Sequence, residues 1–159
     1  MRITILAVGK LKEKYLREGV AEYAKRLAPF AKIDFAELSE ERLPEGFSPA
    51  EKEKALTREG ERLLARVRDG SYLTVLDLSG KALSSEELAK LVEDKMTEGV
   101  SDFTFIIGGP FGISDEVRKA ADMRLSLSKM TFTHQMTRLI LTEQIYRSFK
   151  IIKGEKYHW

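Results

Sequence analysis

The chain has 159 residues, 43% of them apolar and 33% charged, with a net charge of +2. That length suits one domain spanning 1–159, and the composition is that of an ordinary soluble globular protein. With no cysteine, disulfides, iron–sulfur clusters, thiolate zinc sites and thiol catalysis are excluded.

The only histidines are His134 and His158, in no metal-binding spacing, so a metal centre would need several carboxylates and none is expected. No apolar run approaches the ~20 residues of a membrane span. The opening MRITILAVGK is charged too early for a signal peptide. A cytoplasmic protein with no membrane partner is expected. Charge is uneven along the chain: residues 1–29 carry net +4, residues 30–114 net −6 and residues 115–159 net +4. A fold that joins the two ends would gain a positive patch suited to a polyanion.

Residues 3–8 (ITILAV) predict a buried strand ended by Gly9. Lys12 to Leu27 predicts an amphipathic helix, with Tyr15, Leu16, Val20, Tyr23, Ala24 and Leu27 at helical spacing and Pro29 beyond its end. Residues 32–38 alternate as a second strand, and Pro44 and Gly46 break the loop that follows. Ser48, Pro49 and Glu51 form a capping box with proline at the first helical position. The helix it opens runs to about Val67. Its narrow apolar stripe of Leu56, Leu63, Leu64 and Val67 predicts a surface helix.

Residues 72–78 (YLTVLDL) predict a third strand, covered on both faces. Ser84 and Glu87 open another helix, and residues 103–107 (FTFII) form a fourth strand. A short helix from Ser114, a short strand near Leu125 and a long helix from Thr133 to Ile151 complete the order. This alternation predicts an α/β fold: a mainly parallel sheet with helices on both faces. Ligands in such sheets bind beyond the carboxyl ends of the strands.

Three loops lie there. The first is LDLSGK, from Leu76 to Lys81. The second, Ile107-Gly108-Gly109-Pro110-Phe111-Gly112, is neither a phosphate loop nor a dinucleotide fingerprint. Its glycines would let a flat ligand approach the backbone, and a plain tight turn with Pro110 at its second position is the competing reading. The third, Leu127 to Phe132, is too irregular for an element and too apolar for an exposed loop, which points to burial against core or ligand. His134 and Arg138 follow one helical turn apart, where the helix dipole favours anions. A helix-start histidine without a role and a solvated arginine are the plainer alternatives. Glu143 and Arg147 read as a helix ion pair. Met130, Met136, Leu139, Ile140, Ile145 and Phe149 read most simply as core.

These loops resemble the RlmH family of SPOUT methyltransferases. The matching segments are ITILAVGKLKEKY, LDLSGKALSSEELA, IIGGPFGIS, LSLSKMTFTHQMTR and EQIYRSFKIIKGEKYH, in order along the whole chain. Family members often carry proline before the histidine, where this chain has Thr133, a residue able to cap the helix. The resemblance implies a carboxyl-terminal trefoil knot, a homodimer, S-adenosylmethionine as cofactor, and methylation of ring N3 of a pseudouridine in large-subunit ribosomal RNA. By residue match the cofactor would contact Leu76, Gly108, Leu127, Ser128, Lys129, Met130, Thr131 and Phe132.

An imide nitrogen must lose its proton before it attacks a sulfonium methyl. Each pK unit between it and ambient pH costs about 1.4 kcal/mol. A cation would lower that cost and a base would carry the proton away. Arg138 is the candidate cation, His134 and His158 the candidate bases, and Tyr157 a stacking or hydrogen-bonding partner for the RNA base. A non-catalytic RNA-binding module and a nucleotide sensor are the rival expectations.

Overall fold

The computed structural model describes residues 1–157; His158 and Trp159 lie outside the described residues. Five strands, β1 (Arg2–Val8), β2 (Lys32–Leu38), β3 (Tyr72–Ala82), β4 (Asp102–Ile107) and β5 (Met123–Ser126), form one parallel sheet in the order β2-β1-β4-β3-β5. Alternation decides the facing of each side chain. Ile3, Ile5 and Ala7 point to one face with Phe103, Phe105 and Ile107, while Leu6 and Val8 point to the other with Val75 and Ile106.

Helices α1 (Lys14–Leu27), α3 (Ser85–Thr97) and α5 (His134–Ile152) pack together, and Leu27, Val92, Leu141, Ile145 and Phe149 join the first core. Helices α2 (Pro49–Leu64) and α4 (Asp115–Ala120) cover the second face through Leu63 and Val117. The sequence places all ten elements in this order. Both capping boxes form: Ser48 accepts from Glu51 N–H and Ser84 from Glu87 N–H, with each glutamate returning to the serine backbone.

Three boundaries or packings differ from expectation. Helix α1 starts at Lys14, because residues 10–13 are drawn into contacts described below. Helix α2 is turned from its Leu stripe and buries Ala55, Glu59, Gly60 and Leu63. Gly60 lies so close to Ser114 and Val117 that a side chain there would collide, and this close approach sets which face of α2 is inward.

Strand β3 runs on to Ala82 through the segment expected to be a loop. It does so by an irregularity: β5 pairs first with Thr74–Leu76 and again with Lys81 and Ala82. Gly80 sits at this kink, where a Cβ would lie 2.7 Å from the Arg124 backbone. A bulged strand in contact with a neighbour's backbone admits only glycine there.

Candidate functional site

In the sheet order, β4, β3 and β5 are neighbours, so the three loops singled out in the sequence end side by side. They enclose a cleft of about 880 Å³, within the size range of pockets that hold small ligands. Its floor and walls are apolar: Leu76, Ile107, Leu125 and Leu127, with Tyr15 and Leu16 from the start of α1. Asp77, Ser79, Arg118, His134 and Gln135 supply polar groups at its margin. Asp77 is held there by Arg118 (3.2 Å) and Arg124 (3.4 Å) and accepts from Ser79 N–H.

The glycine-rich loop is a tight turn as well as a wall of the cleft. Gly112 N–H donates to Gly109 C=O at 3.0 Å, with Pro110 at the second position and Gly112 at φ +92°. A Cβ on Gly108 would lie 2.5 Å from the Gly112 carbonyl oxygen and 2.7 Å from an Ile113 methyl. Gly108 is therefore required by the loop's own closure, before any ligand arrives. Phe111 at the tip meets Phe47 edge-on, with ring centroids 5.1 Å apart, which ties the loop to the approach to α2.

Residues 127–132 form the opposite wall without regular structure. Ser126 Oγ donates to the Ser128 carbonyl, and Met130 N–H donates to Ser128 Oγ, so a short serine-pinned bend shapes the run. Leu127, Ser128, Met130, Thr131 and Phe132 line the cleft with Leu76 and Gly108, and Lys129 does not. The run is less buried than its composition suggests. Met130 is 75% exposed and Phe132 38%, so Met130 is rim and not core. Among the described residues no helix or strand covers this edge, and apolar side chains there face the opening. Tyr15, Leu78 and Phe111 are exposed on the same rim.

Thr133 caps α5, its Oγ1 accepting from Met136 N–H at 3.1 Å. This fixes His134 at the cleft and Arg138 one turn behind it. Arg138 is 3% exposed and does not line the cleft. Its guanidinium donates to Glu37 Oε1 and to the Gly9 carbonyl, joining α5 to the ends of β1 and β2. Burial alone would raise the Glu37 pKa. The Leu11 N–H and the Arg138 charge outweigh it and hold the carboxyl below its ordinary value.

His134 Nε2 faces Glu40 Oε1 at 3.9 Å, and both sit over Gly9. A Cβ on Gly9, which has φ +89°, would lie 2.5 Å from the Glu40 oxygen, so glycine is needed there for space and for backbone angle. Burial lowers the His134 pKa below that of an ordinary imidazole. Arg138 and Lys12 push the same way, against Glu40. The ring is thus neutral at neutral pH.

Tyr157 lies elsewhere. Its ring packs edge-on against Tyr146 at 4.8 Å, its hydroxyl donates to Glu143 Oε1 at 3.1 Å, and Arg147 lies over its face. It does not line the cleft, and the tail reaching it is docked on the chain's own first core. Glu143 also pairs with Arg147 at 2.7 Å, the expected helix ion pair. His158 lies outside the described residues.

Sequence reasoning missed Gly9, Glu37, Glu40 and Gln135, which build the polar side of the site. A glycine ending a central strand signals the first. No local pattern signals the others, because their partners are distant in sequence.

The chain that builds this cleft has known relatives. A family model described as "Predicted SPOUT methyltransferase" matches residues 1–158. The chain belongs to the SPOUT methyltransferase family. Two curated relatives are both named ribosomal RNA large subunit methyltransferase H. The one from Carboxydothermus hydrogenoformans is 56% identical over 158 residues, covering 99% of each chain. The one from Acetivibrio thermocellus is 53% identical with the same coverage. A solved structure of a probable methylase family protein from Haemophilus influenzae Rd KW20 matches 99% of this chain and 70% of its own, with TM-score 0.50 and 13% identity. At that identity the likeness concerns fold alone. The irregular wall and glycine-rich turn of this SPOUT protein thus stand in a family setting that involves methyl transfer.

Proposed function

We propose that this chain is an S-adenosylmethionine-dependent methyltransferase acting on ring N3 of a pseudouridine in large-subunit ribosomal RNA. We propose further that it works in the cytoplasm as a homodimer, with its carboxyl-terminal third threaded as a trefoil knot. The observation that carries the reading is the cleft: apolar walls beside bare backbone, with an imidazole at its margin. The names of the relatives support the choice of ribosomal RNA.

The residues present fit the cofactor. Leu76, Ile107, Leu127 and Met130 offer apolar surface to a purine, and the strand-free backbone of 127–132 offers donors and acceptors to its edge. Gly108 keeps the opposing backbone bare. When bound, S-adenosylmethionine supplies an electrophilic methyl group on a sulfonium. The chain positions the RNA base against it, and such alignment supplies much of a displacement's acceleration.

His134 accepts the imide proton on a ring nitrogen, since its depressed pKa favours the neutral imidazole, which keeps one nitrogen free to accept. Arg138 acts from behind the surface: its charge adds to the burial that lowers the His134 pKa, while its hydrogen bonds hold Gly9 and Glu37. Tyr157 anchors the tail that carries His158, and His158 is the second candidate base.

The test is transfer of labelled methyl from S-adenosylmethionine to ribosomes from a strain lacking the gene, followed by nucleoside analysis. Label in an N3-methylated pseudouridine is expected. Absence of label on ribosomes, with cofactor binding intact by calorimetry, would sink the reading. Light scattering should give a mass of about 36 kDa, twice the 18.1 kDa of one chain, as a two-fold dimer requires.

A further inference from the structure

The segment between β1 and α1, Gly9 to Glu13, has no regular structure, yet its backbone is held at nearly every residue. Gly9 N–H donates to the Leu38 carbonyl, and the Gly9 carbonyl accepts from buried Arg138. Leu11 N–H donates to Glu37 Oε1 at 2.9 Å, and Lys12 N–H to Gln135 Oε1 at 2.9 Å. The Lys12 carbonyl accepts from Arg17 Nη1 at 2.6 Å. The groups that do this holding come from β2, the first two turns of α5 and the first turn of α1. A surface loop whose amides and carbonyls are tied to three separate elements is presented in one shape.

What it presents is charge. The stretch GKLKEKYLR, residues 9–17, holds four basic residues against one acidic. Lys10, Lys12 and Lys14 are exposed, and Lys14 has an 80% exposed side chain paired only loosely with Glu18 at 3.6 Å. The carboxylate whose pKa Lys10 helps to lower, Glu37, already accepts from Arg138 and from Leu11 N–H. Glu13, Tyr15 and Leu16, from the same stretch, line the cleft, so the lysine-bearing backbone borders it.

We infer that the Gly9–Glu13 loop and Lys14, the first residue of α1, form a rigid phosphate-docking strap, on which Lys10, Lys12 and Lys14 grip the RNA backbone beside the target nucleotide. This rests on the reading of the chain as an RNA methyltransferase and adds which element holds the substrate. The physical case is that of other polyanion contacts: each ammonium that meets a phosphate releases condensed counterions, and prior ordering of the loop removes the cost of fixing it on binding. Arg138, Glu37 and Gln135 are positioning residues in this arrangement. They fix the strap and touch no phosphate.

The test measures the affinity of the full chain for large ribosomal subunits lacking the modification, over a series of KCl concentrations at constant magnesium. Lys10→Ala/Lys12→Ala/Lys14→Ala should lower the slope of log Kd against log salt by about 2 to 3, as loss of three phosphate contacts at about 0.7–0.9 each predicts. Its affinity for S-adenosylmethionine and its melting temperature should stay at wild-type values. The charge-conserving Lys10→Arg/Lys12→Arg/Lys14→Arg should keep the wild-type slope. Lys54→Ala/Arg58→Ala, two exposed charges removed from α2, should leave the slope unchanged.

If the alanine variant keeps the wild-type slope while the wild type methylates the subunits, the strap is wrong and the methyltransferase reading stands. If the arginine variant loses as much as the alanine variant, charge is not what the strap contributes, and the inference falls. If the wild type neither binds nor methylates the subunits, the reading falls and the strap with it.

Discussion

At the β3, β4 and β5 ends of the sheet, the walls are apolar side chains and bare backbone. Beside the β1 and β2 ends lie polar and charged groups, each set against a partner: Arg138 on Glu37, and His134 facing Glu40. The first half can take a flat, uncharged surface at little desolvation cost. The second can stabilise and move charge, because its ions are already ordered and partly shielded from water. The two halves meet at His134, which is held by the polar side and opens to the apolar one. Breaking either half should therefore give a different phenotype.

The largest effect is expected at the meeting point. His134→Ala should cut methyl transfer by at least ~100-fold, the low end of what a general base contributes, with cofactor affinity within about twofold. Single-turnover transfer and calorimetry on the same preparation separate the two. Undiminished transfer would strike His134 from the catalytic groups. Thr131→Trp attacks the apolar half alone. Thr131 is exposed and lines the cleft, so an indole there should block the cofactor by calorimetry and leave thermal unfolding unchanged.

Next in size is the glycine-rich turn. Even Gly108→Ala places a methyl against the Gly112 carbonyl and Ile113. Overpacking of this kind costs about 1–3 kcal/mol, so the variant should unfold at lower urea whether or not cofactor is present. A stability equal to wild type would mean that the turn relaxes at no cost. This expectation separates the loop's closure from its contact with a ligand, which the pattern of glycines alone could not.

Much of the apolar half was legible in the sequence. Strand ends, glycines and an aperiodic run are local signals, and a parallel sheet puts such loops on one edge. The polar half was not, because Arg138 reaches Gly9 and Glu37 across more than a hundred residues. In sequence it looked like a surface or substrate-facing cation. In the fold, burial and two acceptors make it a clamp. Met130 and the last part of β3 were misread for a related reason: periodicity reports composition, and cannot say that no layer covers a rim or that a strand continues through a bulge at Gly80.

A smaller effect should sharpen the polar half. Glu40 raises the His134 pKa while burial, Arg138 and Lys12 lower it. The acid limb of the pH–rate profile reports protonation of the base and should lie below pH ~6.5, the ordinary imidazole value. Glu40→Gln removes the group that opposes the depression, so the limb should move to still lower pH, with the plateau rate nearly unchanged. Movement to higher pH would show that Glu40 faces a different base.

The smallest expected effect lies behind the glycine-rich turn, at Glu59. This carboxylate is buried in α2, accepts Glu41 N–H at 2.8 Å and lies beside Gly109. Burial raises its pKa; the Glu41 hydrogen bond and the Arg62 charge oppose the rise without cancelling it. A carboxyl whose folded pKa exceeds its unfolded one binds its proton more tightly when folded, so its contribution to stability is present at low pH. That contribution is lost as pH rises through the unfolded and then the folded value. Glu59→Gln keeps an acceptor for Glu41 N–H and has no proton to lose. It should melt roughly 2 °C above wild type at pH 8, a difference worth somewhat under 1 kcal/mol at this size, and the gain should fade as pH drops toward 4. A gain that is constant with pH would mean that Glu59 is not held above its ordinary value, and a loss at pH 8 would mean that its charge is anchoring Arg62.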